Sequence, residues 1–397
     1  MHSPDRLHAL DAVRAFALLL GIALHATQPF VAGLPWMTPE APSDVMAGVF
    51  YTIHMFRMPL FFLIAGFFGR MLLERRGATG FIKDRSRRIL LPLVIGLPIV
   101  MLITGLAYLA GALASGADLH SVQQLKPPPS PVQHSVLARI NLIHLWFLYY
   151  LVIFYVMALA ARFVFRKVEL LDSAVRFLVR GAWGPLILAL PIAAYYAELR
   201  GWSSWGGLPA PFSLVPDAGA LLSYGLFFAF GWLLQRQQQS LAFLERLWPL
   251  YCSLAIAAWF VCRFIGGATP HWGPYLKNLE LLAYTFSYMA GAWFWSFGLI
   301  GAAMRFLSGF SPVRRYLADS SYWLYLMHIA ALLFFGQVLH PLSWHWSVKY
   351  LLSITGAMAV LLVSYHYLVR FTFVGATLNG RRHRRGAPPA SGMAAAR

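Results

Sequence analysis

The sequence predicts an all-α fold, a polytopic transmembrane helical bundle of about ten spans with both termini in the cytoplasm. The first observation is composition: 59% of the 397 residues are hydrophobic and only 12% are charged, against about 45–50% and about 25% in a soluble domain. So few charges do not cover a water-facing globule of this size, and the same numbers exclude disorder, collagen and a disulfide-stabilised scaffold. The other two observations are recurring apolar runs and the placement of the basic residues.

Each predicted span has the roughly 20 residues needed to cross about 30 Å of hydrocarbon. We assign 1–375 to one membrane domain and 376–397 to a basic cytoplasmic tail that is expected to be disordered. Since no soluble catalytic domain remains, any chemistry must be done by residues in or at the spans. The predicted spans are residues 9–31, 45–73, 89–114, 138–161, 182–199, 217–235, 247–265, 279–304, 317–338 and 348–371.

The net charge of +18 is distributed in a pattern that predicts topology. The 70–88 loop carries seven Lys or Arg residues and the 162–180 loop carries five, whereas the 32–44 and 339–347 loops carry none. This alternation follows the positive-inside rule, supports an even number of spans and places both termini in the cytoplasm. A nucleic-acid partner is not expected, because its binding needs one contiguous basic face.

The first span holds two ionisable residues, Arg14 and His25. It is expected to be retained rather than cleaved, since charged residues enter it and no small-residue cleavage site follows. Eleven residues are about three helical turns, so both side chains face the same side about 16 Å apart. Asp11 lies one turn before Arg14 and is expected to pair with it.

Four histidines from four different spans fall in one layer of the outer half of the membrane when depth is counted from the rise per residue. They are His25, His54, His144 and His328. Ionisable residues inside spans are costly and are functional candidates, and a histidine suits general-base work. Each alone could equally be a packed histidine bonded to a carbonyl. A metal site is not expected, because the groups around these histidines include no cysteine and almost no carboxylate, and no paired-histidine spacing occurs in a span.

Arg85 and Arg88 lie one turn apart where the third span is predicted to open at the cytoplasmic face. Two guanidiniums and the free backbone N–H groups of a helix N-terminus form a good site for a phosphate-bearing ligand. The alternative is that both arginines only determine topology. No glycine-rich nucleotide-binding loop accompanies them.

Four motifs make the chain resemble the acyltransferase-3 family of integral membrane O-acyltransferases. The resemblance covers essentially the whole chain. The motifs are Arg14-x10-His25, Phe61-Phe-Leu-Ile-Ala-Gly66-Phe, Arg85-x-x-Arg88-Ile-x-x-Pro92 and Ser321-x-x-x-Tyr325-x-x-His328.

The resemblance implies an O-acyltransferase whose acyl-CoA co-substrate approaches from the cytoplasm, with no tightly bound cofactor. Arg85 and Arg88 would hold the donor phosphates, His25 would accept the proton of the acceptor hydroxyl, and Arg14 would position the donor or stabilise developing charge. A covalent acyl-histidine or acyl-serine relay stays open. The supporting or acceptor-orienting residues would be Asp11, His54, Arg57, His144, Tyr325 and His328.

Residues 53–62 and 144–148 look most like a branch of the family that is associated with succinylation of osmoregulated periplasmic glucans. This implies a bacterial inner-membrane protein with an extracytoplasmic glycan acceptor, and Arg57 would hold the free carboxylate of a succinyl group. An alternative from another class is a transporter or exporter of a glycan or lipid-linked intermediate. A sensor or scaffold is a third hypothesis, although no soluble input or output module is recognisable.

Overall fold

The computed structural model describes residues 3–34, 40–116, 136–164, 169–200, 202, 205, 207–268, 270–271 and 276–380. Within these ranges the chain is 84% helical and contains no strand, which confirms the all-α class. In lipid every backbone polar group must be satisfied within the chain, and helices achieve this inside one segment.

We number the twelve α-helices of seven or more residues in the described ranges. They are α1 (Ser3–Thr27), α2 (Asp44–Arg85), α3 (Gly96–Ala114), α4 (Trp146–Val164), α5 (Glu169–Leu178), α6 (Trp183–Ala194), α7 (Ala218–Leu234), α8 (Leu241–Gly266), α9 (Asn278–Phe306), α10 (Pro312–Leu339), α11 (Trp346–Ser364) and α12 (Phe373–Asn379).

Side-chain caps mark two of these boundaries, and one glycine changes the direction of the backbone inside α2. Ser43 accepts a hydrogen bond from the Met46 N–H at the start of α2, and Asp217 does the same for α7. Both are residue types that satisfy the free N–H groups of a first helical turn. Within α2 the backbone changes direction at Gly77, whose φ of 64° lies in the left-handed region that favours glycine.

Among the described residues, six helical stretches are long and apolar enough to cross a membrane, and a bent pair, Leu170–Leu178 with Trp183–Glu198, could form a seventh. Two of the six, Asp44–Ala114 and Ala218–Gly266, have 71 and 49 residues, whereas one crossing needs about 20. These two stretches cover four of the helices numbered above, α2, α3, α7 and α8. The protein is therefore a membrane protein with several crossings. The number ten and the placement of the termini stay predictions.

Helix α9 forms the centre of the bundle and packs against α8, α6, α2 and α1. Its aromatic residues Tyr284, Tyr288, Trp293 and Phe297 are all fully buried. Helix α1 packs between α10, α2, α9 and α11, while α3 packs on α10. The helices that carry the predicted histidines and arginines therefore meet around α1.

Helices α2 and α7 approach closely through two glycines. A Cβ on Gly66 of α2 would overlap the Phe228 carbonyl, and a Cβ on Gly231 of α7 would overlap the Leu63 carbonyl. Gly66 ends the Phe-Phe motif, so that motif contains a helix-packing contact.

Helix α12 runs from Phe373 to Asn379, across the predicted domain boundary at 375, and the Arg88 Nε donates a hydrogen bond to the Leu378 carbonyl at 3.2 Å. Residues 376–379 are therefore helical. The rest of the predicted tail, 381–397, lies outside the described residues.

Candidate active site

Three of the four predicted histidines meet in one cluster. The ring centroids of His25 and His328 are 5.1 Å apart, and those of His144 and His328 are 4.9 Å apart. They come from α1, from the turn that precedes α4, and from α10. His144 and His328 are buried and His25 is half-buried. We call these three residues the histidine cluster.

Hydrogen bonds to carbonyls determine which ring nitrogen carries the hydrogen in two of these histidines. The His144 Nε2 donates to the Leu326 carbonyl at 3.2 Å, and the His328 Nδ1 donates to the Tyr325 carbonyl at 2.7 Å. A carbonyl only accepts, so the opposite nitrogen of each neutral ring carries a lone pair.

One nitrogen of each ring is left available. The His25 Nδ1, His144 Nδ1 and His328 Nε2 are buried and hydrogen-bond to none of the described residues. Buried polar atoms are normally satisfied in native proteins. Three such atoms in one cluster indicate a polar site for a ligand, and those on His144 and His328 can accept hydrogen bonds from it.

Tyr325 and a strained turn hold His144 in place. The Tyr325 hydroxyl donates to the His144 carbonyl at 2.8 Å, while the His144 ring bonds one residue further along α10. Ile143, just before it, has a φ of 50°, a conformation that is rare for a β-branched residue. Its N–H donates to the Asn141 Oδ1 at 2.8 Å. Strain of this kind concentrates at functional sites, and sequence reasoning gave no signal for it.

Arg57 of α2 lies over Gly21 of α1, next to the histidine cluster. A Cβ on Gly21 would stand 2.5 Å from the Arg57 Nη1 and 3.8 Å from the His328 Nε2. The guanidinium is close enough to interact electrostatically with all three rings of the cluster. It makes one contact to the Met58 Sδ at 3.3 Å, and no carboxylate among the described residues pairs with it. The absence of a side chain at Gly21 thus creates the space that Arg57 occupies.

His54, the fourth predicted histidine, lies one turn before Arg57 on α2. Its ring stacks on Phe50, with ring centroids 5.4 Å apart. It interacts electrostatically with His25. The structure therefore places His54 at the edge of the cluster.

Arg14 lies away from the histidines. It pairs with Asp11 at 3.1 Å, and its guanidinium lies over the Phe68 ring at 5.5 Å. Along α1 it is about 16 Å from His25. The expected pairing with Asp11 is observed, but Arg14 does not touch the groups around His25.

Instead, Arg14 lies beside Arg85 and Arg88, and we call these three residues the arginine cluster. Arg14 interacts electrostatically with Arg88, and the Arg85 guanidinium lies over the Tyr155 ring at 5.1 Å. Asp84 faces Arg85 at 3.7 Å and Arg88 at 4.0 Å, and it offsets part of their charge. Asp84 was not singled out by sequence reasoning, although it precedes Arg85 directly.

The predicted helix N-terminus at Arg85 and Arg88 is wrong. Arg85 is the last residue of α2, and residues Ser86–Leu90 continue the helix as a π-helical turn. The Ser86 N–H bonds to the Ile82 and Lys83 carbonyls, so it is not free for a phosphate. The α2 helix runs through the basic segment because charged side chains are compatible with a helix outside the hydrocarbon. The groups that could bind a phosphate here are the guanidiniums.

Helix α1 connects the two clusters along one face. At about 100° per residue, Asp11, Arg14, Gly21 and His25 fall within an arc of about 80°. The face carries the arginine cluster at one end and the histidine cluster at the other. No group of three or more His, Cys, Asp or Glu residues in the described ranges is arranged to hold a metal ion.

Comparison with known proteins supplies the family. The acyltransferase domain of family 3 matches residues 7–366. A glucans biosynthesis protein C from Escherichia coli O157:H7 is 25% identical over 405 residues, which cover 94% of this chain and 95% of that protein. The protein of the same name from Escherichia coli strain K12 is 30% identical over 168 residues, which cover 42% of this chain and 40% of that protein.

No solved structure shows significant similarity. The family match covers both clusters, from Asp11 to His328. This chain belongs to the acyltransferase-3 family of membrane acyltransferases.

Proposed function

We propose that the protein transfers an acyl group from a cytoplasmic acyl-CoA to a hydroxyl of an extracytoplasmic glycan, such as a periplasmic glucan, in the bacterial inner membrane. The observation that best supports this proposal is the arrangement of side chains along one face of α1. The arginine cluster, whose guanidiniums can bind phosphate, lies at one end, and the histidine cluster, with its available ring nitrogens, lies at the other. The donor would lie along this face, with its diphosphate at the arginine cluster and its thioester near His25.

His25 is the general base of the proposed reaction. As the hydroxyl oxygen attacks the thioester carbon, the hydroxyl proton passes to a ring nitrogen of His25. When the tetrahedral intermediate collapses, its carbon–sulfur bond breaks and the same proton passes from His25 to the CoA thiolate. The products are an ester on the glycan and free CoA. The lone pairs on His144 and His328 accept hydrogen bonds from other hydroxyls of the sugar and so orient it.

Arg14 positions the donor in this proposal. Its place beside Arg88 suits the diphosphate of CoA, whereas its distance from His25 does not suit the reacting carbonyl. A guanidinium binds phosphate oxygens through several N–H donors at once.

Arg57 is the proposed partner of a carboxylate on the acyl group, which favours succinyl as the group transferred. It is a cation next to the histidine cluster with no carboxylate partner among the described residues. A charge in the membrane interior is costly unless something offsets it. A succinyl carboxylate would do so and would also place the thioester carbonyl near His25.

The test is release of free CoA by the purified full-length protein from succinyl-CoA, with and without periplasmic glucan. CoA release should require the glucan, and His25→Ala should lower it at least about 10²-fold, since general-base catalysis contributes that much. His340→Ala is the matched control, because this histidine is exposed at the end of α10. Full activity in His25→Ala would remove His25 from the reaction. Passage of unmodified glycan through proteoliposomes without CoA release would indicate a transporter instead.

A further inference from the structure

Helix α12 lies against the arginine cluster, although it follows the residues that match the family domain, which end at 366. It packs on α10 and on the π-helical turn Ser86–Leu90, which carries Arg88. Leu378, near the end of α12, is 4% exposed. Two parts of the chain that are 290 residues apart in sequence thus meet at one of the predicted phosphate-binding arginines.

Arg88 is held at both its backbone and its side chain. The Tyr322 hydroxyl of α10 donates to the Arg88 carbonyl at 2.6 Å, and the Arg88 Nε donates to the Leu378 carbonyl at 3.2 Å. The Leu378 carbonyl is one of the last four of α12, which have no partner within the helix. Gly380 ends α12 with a φ of 73°, and a Cβ on it would stand 3.4 Å from the Arg88 Nη1. The guanidinium is therefore enclosed by the end of α12 before any ligand binds.

The contact with α12 leaves most of the Arg88 donors available. A guanidinium carries five N–H donors, and only the one on Nε bonds to Leu378. The two Nη groups donate a hydrogen bond to none of the described residues, since the Asp84 carboxylate is 4.0 Å from Nη1. Two Nη groups side by side can bind two oxygens of one phosphate. The end of α12 thus holds Arg88 through the donor that a phosphate bound in this way does not use.

The position of α12 depends on two contacts with the π-helical turn Tyr365–Val369, which follows α11. A Cβ on Gly375 of α12 would overlap the Val369 carbonyl. The Asn379 Nδ2 donates to the Tyr365 hydroxyl at 3.1 Å. Both contacts are made by residues outside the arginine cluster, so they offer a way to move α12 without altering an arginine.

We propose that α12 is a positioning element of the donor site, in which the Leu378 carbonyl holds the Arg88 guanidinium so that its two Nη groups bind the donor diphosphate. This inference rests on the proposed function. A long side chain that is free in solution loses conformational freedom when it binds a ligand, and this loss weakens the binding. Because Arg88 is already held, the donor binds without that loss. Helix α12 therefore acts on donor affinity and not on the proton transfer at His25.

The test is Gly375→Ala in the full-length protein, because a methyl group there would push α12 away from the end of α11. The KM for succinyl-CoA should rise about three- to tenfold, the effect of freeing one long side chain. The kcat and the KM for glucan should stay unchanged. Asn379→Ala should act in the same direction by removing the bond to Tyr365, and it decides the question if Gly375→Ala does not fold. Gly309→Ala is the matched control, since nothing lies within 4 Å of its Cβ position.

A double variant shows whether α12 acts through Arg88. When Arg88→Ala is already present, Gly375→Ala should not raise the KM for succinyl-CoA further, because residues that act through one another have non-additive effects. An equal further rise would overturn the proposal, since α12 would then act elsewhere. A lower KM in Gly375→Ala alone would also overturn it and would make α12 an inhibitor of the donor site.

A binding measurement separates this inference from the proposed reaction. In calorimetric titrations of the purified protein with CoA, Gly375→Ala should weaken binding by the same factor as it raises the KM. Glucan-dependent CoA release together with unchanged CoA affinity in Gly375→Ala and Asn379→Ala would overturn the role of α12 alone. CoA binding that weakens in these variants, without any glucan-dependent CoA release, would contradict the proposed reaction alone.

Discussion

Gly21 controls where a charge is placed in the membrane interior. Its missing side chain leaves room for the Arg57 guanidinium between α1 and the His328 ring. A methyl group there would meet the end of a long flexible side chain rather than backbone. Substitution should therefore move the charge without unfolding the bundle.

Gly21→Ala should lower kcat/KM for succinyl-CoA at least tenfold, since a misplacement of about 1 Å costs up to about 10²-fold. The rate with acetyl-CoA should fall less, because acetyl has no carboxylate for Arg57 to hold. The measurement is CoA release with each donor in parallel. Gly336→Ala on α10 is the control, as nothing lies within 4 Å of its Cβ position. Equal losses with both donors would assign Arg57 to the carbonyl oxygen rather than to the acyl carboxylate.

Sequence reasoning placed four histidines at one depth because the rise of a helix is regular. The structure brings three of them together in the histidine cluster and leaves His54 at its edge. The same regularity placed Arg14 and His25 on one side of α1 and gave their separation. It could not reveal that Arg57 stands over Gly21, because the distance and rotation between two helices are set by packing. Which ring nitrogen of His144 carries the hydrogen was equally inaccessible, since it depends on the Leu326 carbonyl of a neighbouring helix.

At the scale of elements, the contact between α2 and α7 depends on glycines at positions where any side chain would meet backbone. Gly66 and Gly231 each face a carbonyl of the opposite helix. This close approach fixes the position of α2 against its neighbours and so positions Arg57.

Gly231→Val should destabilise the protein by about 1–3 kcal/mol or more, the range observed when a packed interior is overfilled. The expected result is a lower Tm and earlier loss of the monodisperse peak in size-exclusion chromatography. Gly48→Ala on α2 is the control, because its Cβ position is open. An unchanged Tm for Gly231→Val would mean that α2 and α7 do not pack as closely as described.

The helix N-terminus predicted at Arg85 and Arg88 was wrong because of how the helix continues there. A basic run after an apolar span has the same composition whether it forms a loop or a continued helix. Only the hydrogen bonds of Ser86 and Leu91 show that the helix continues as a π-helical turn.

For the whole molecule, composition was sufficient to predict the all-α class but not which helix lies at the centre. Helix α9 is rich in tyrosine and tryptophan, and such residues are typical both of membrane interfaces and of buried cores. The burial of Tyr284, Tyr288 and Trp293 became visible only in the assembled bundle.

The predicted topology has a direct measurement. Green fluorescent protein fused after the last residue should fluoresce and alkaline phosphatase fused there should be inactive, since the first folds in the cytoplasm and the second outside it. The alternation of basic loops is the physical reason for this expectation. Active phosphatase at that fusion point would place the C-terminus outside and would require an odd number of spans if the N-terminus is cytoplasmic.

Because α1 carries residues of both clusters, the distance between them is set by the rise of one helix rather than by the packing of several. Movements of α2 or α10 relative to α1 change the partners of Arg14 and His25 but leave their spacing unchanged. For the proposed donor, α1 therefore fixes the distance between the phosphate site and the thioester site. The length of the carrier arm between phosphate and thioester would have to match this distance, whereas Arg57 would distinguish the acyl group separately.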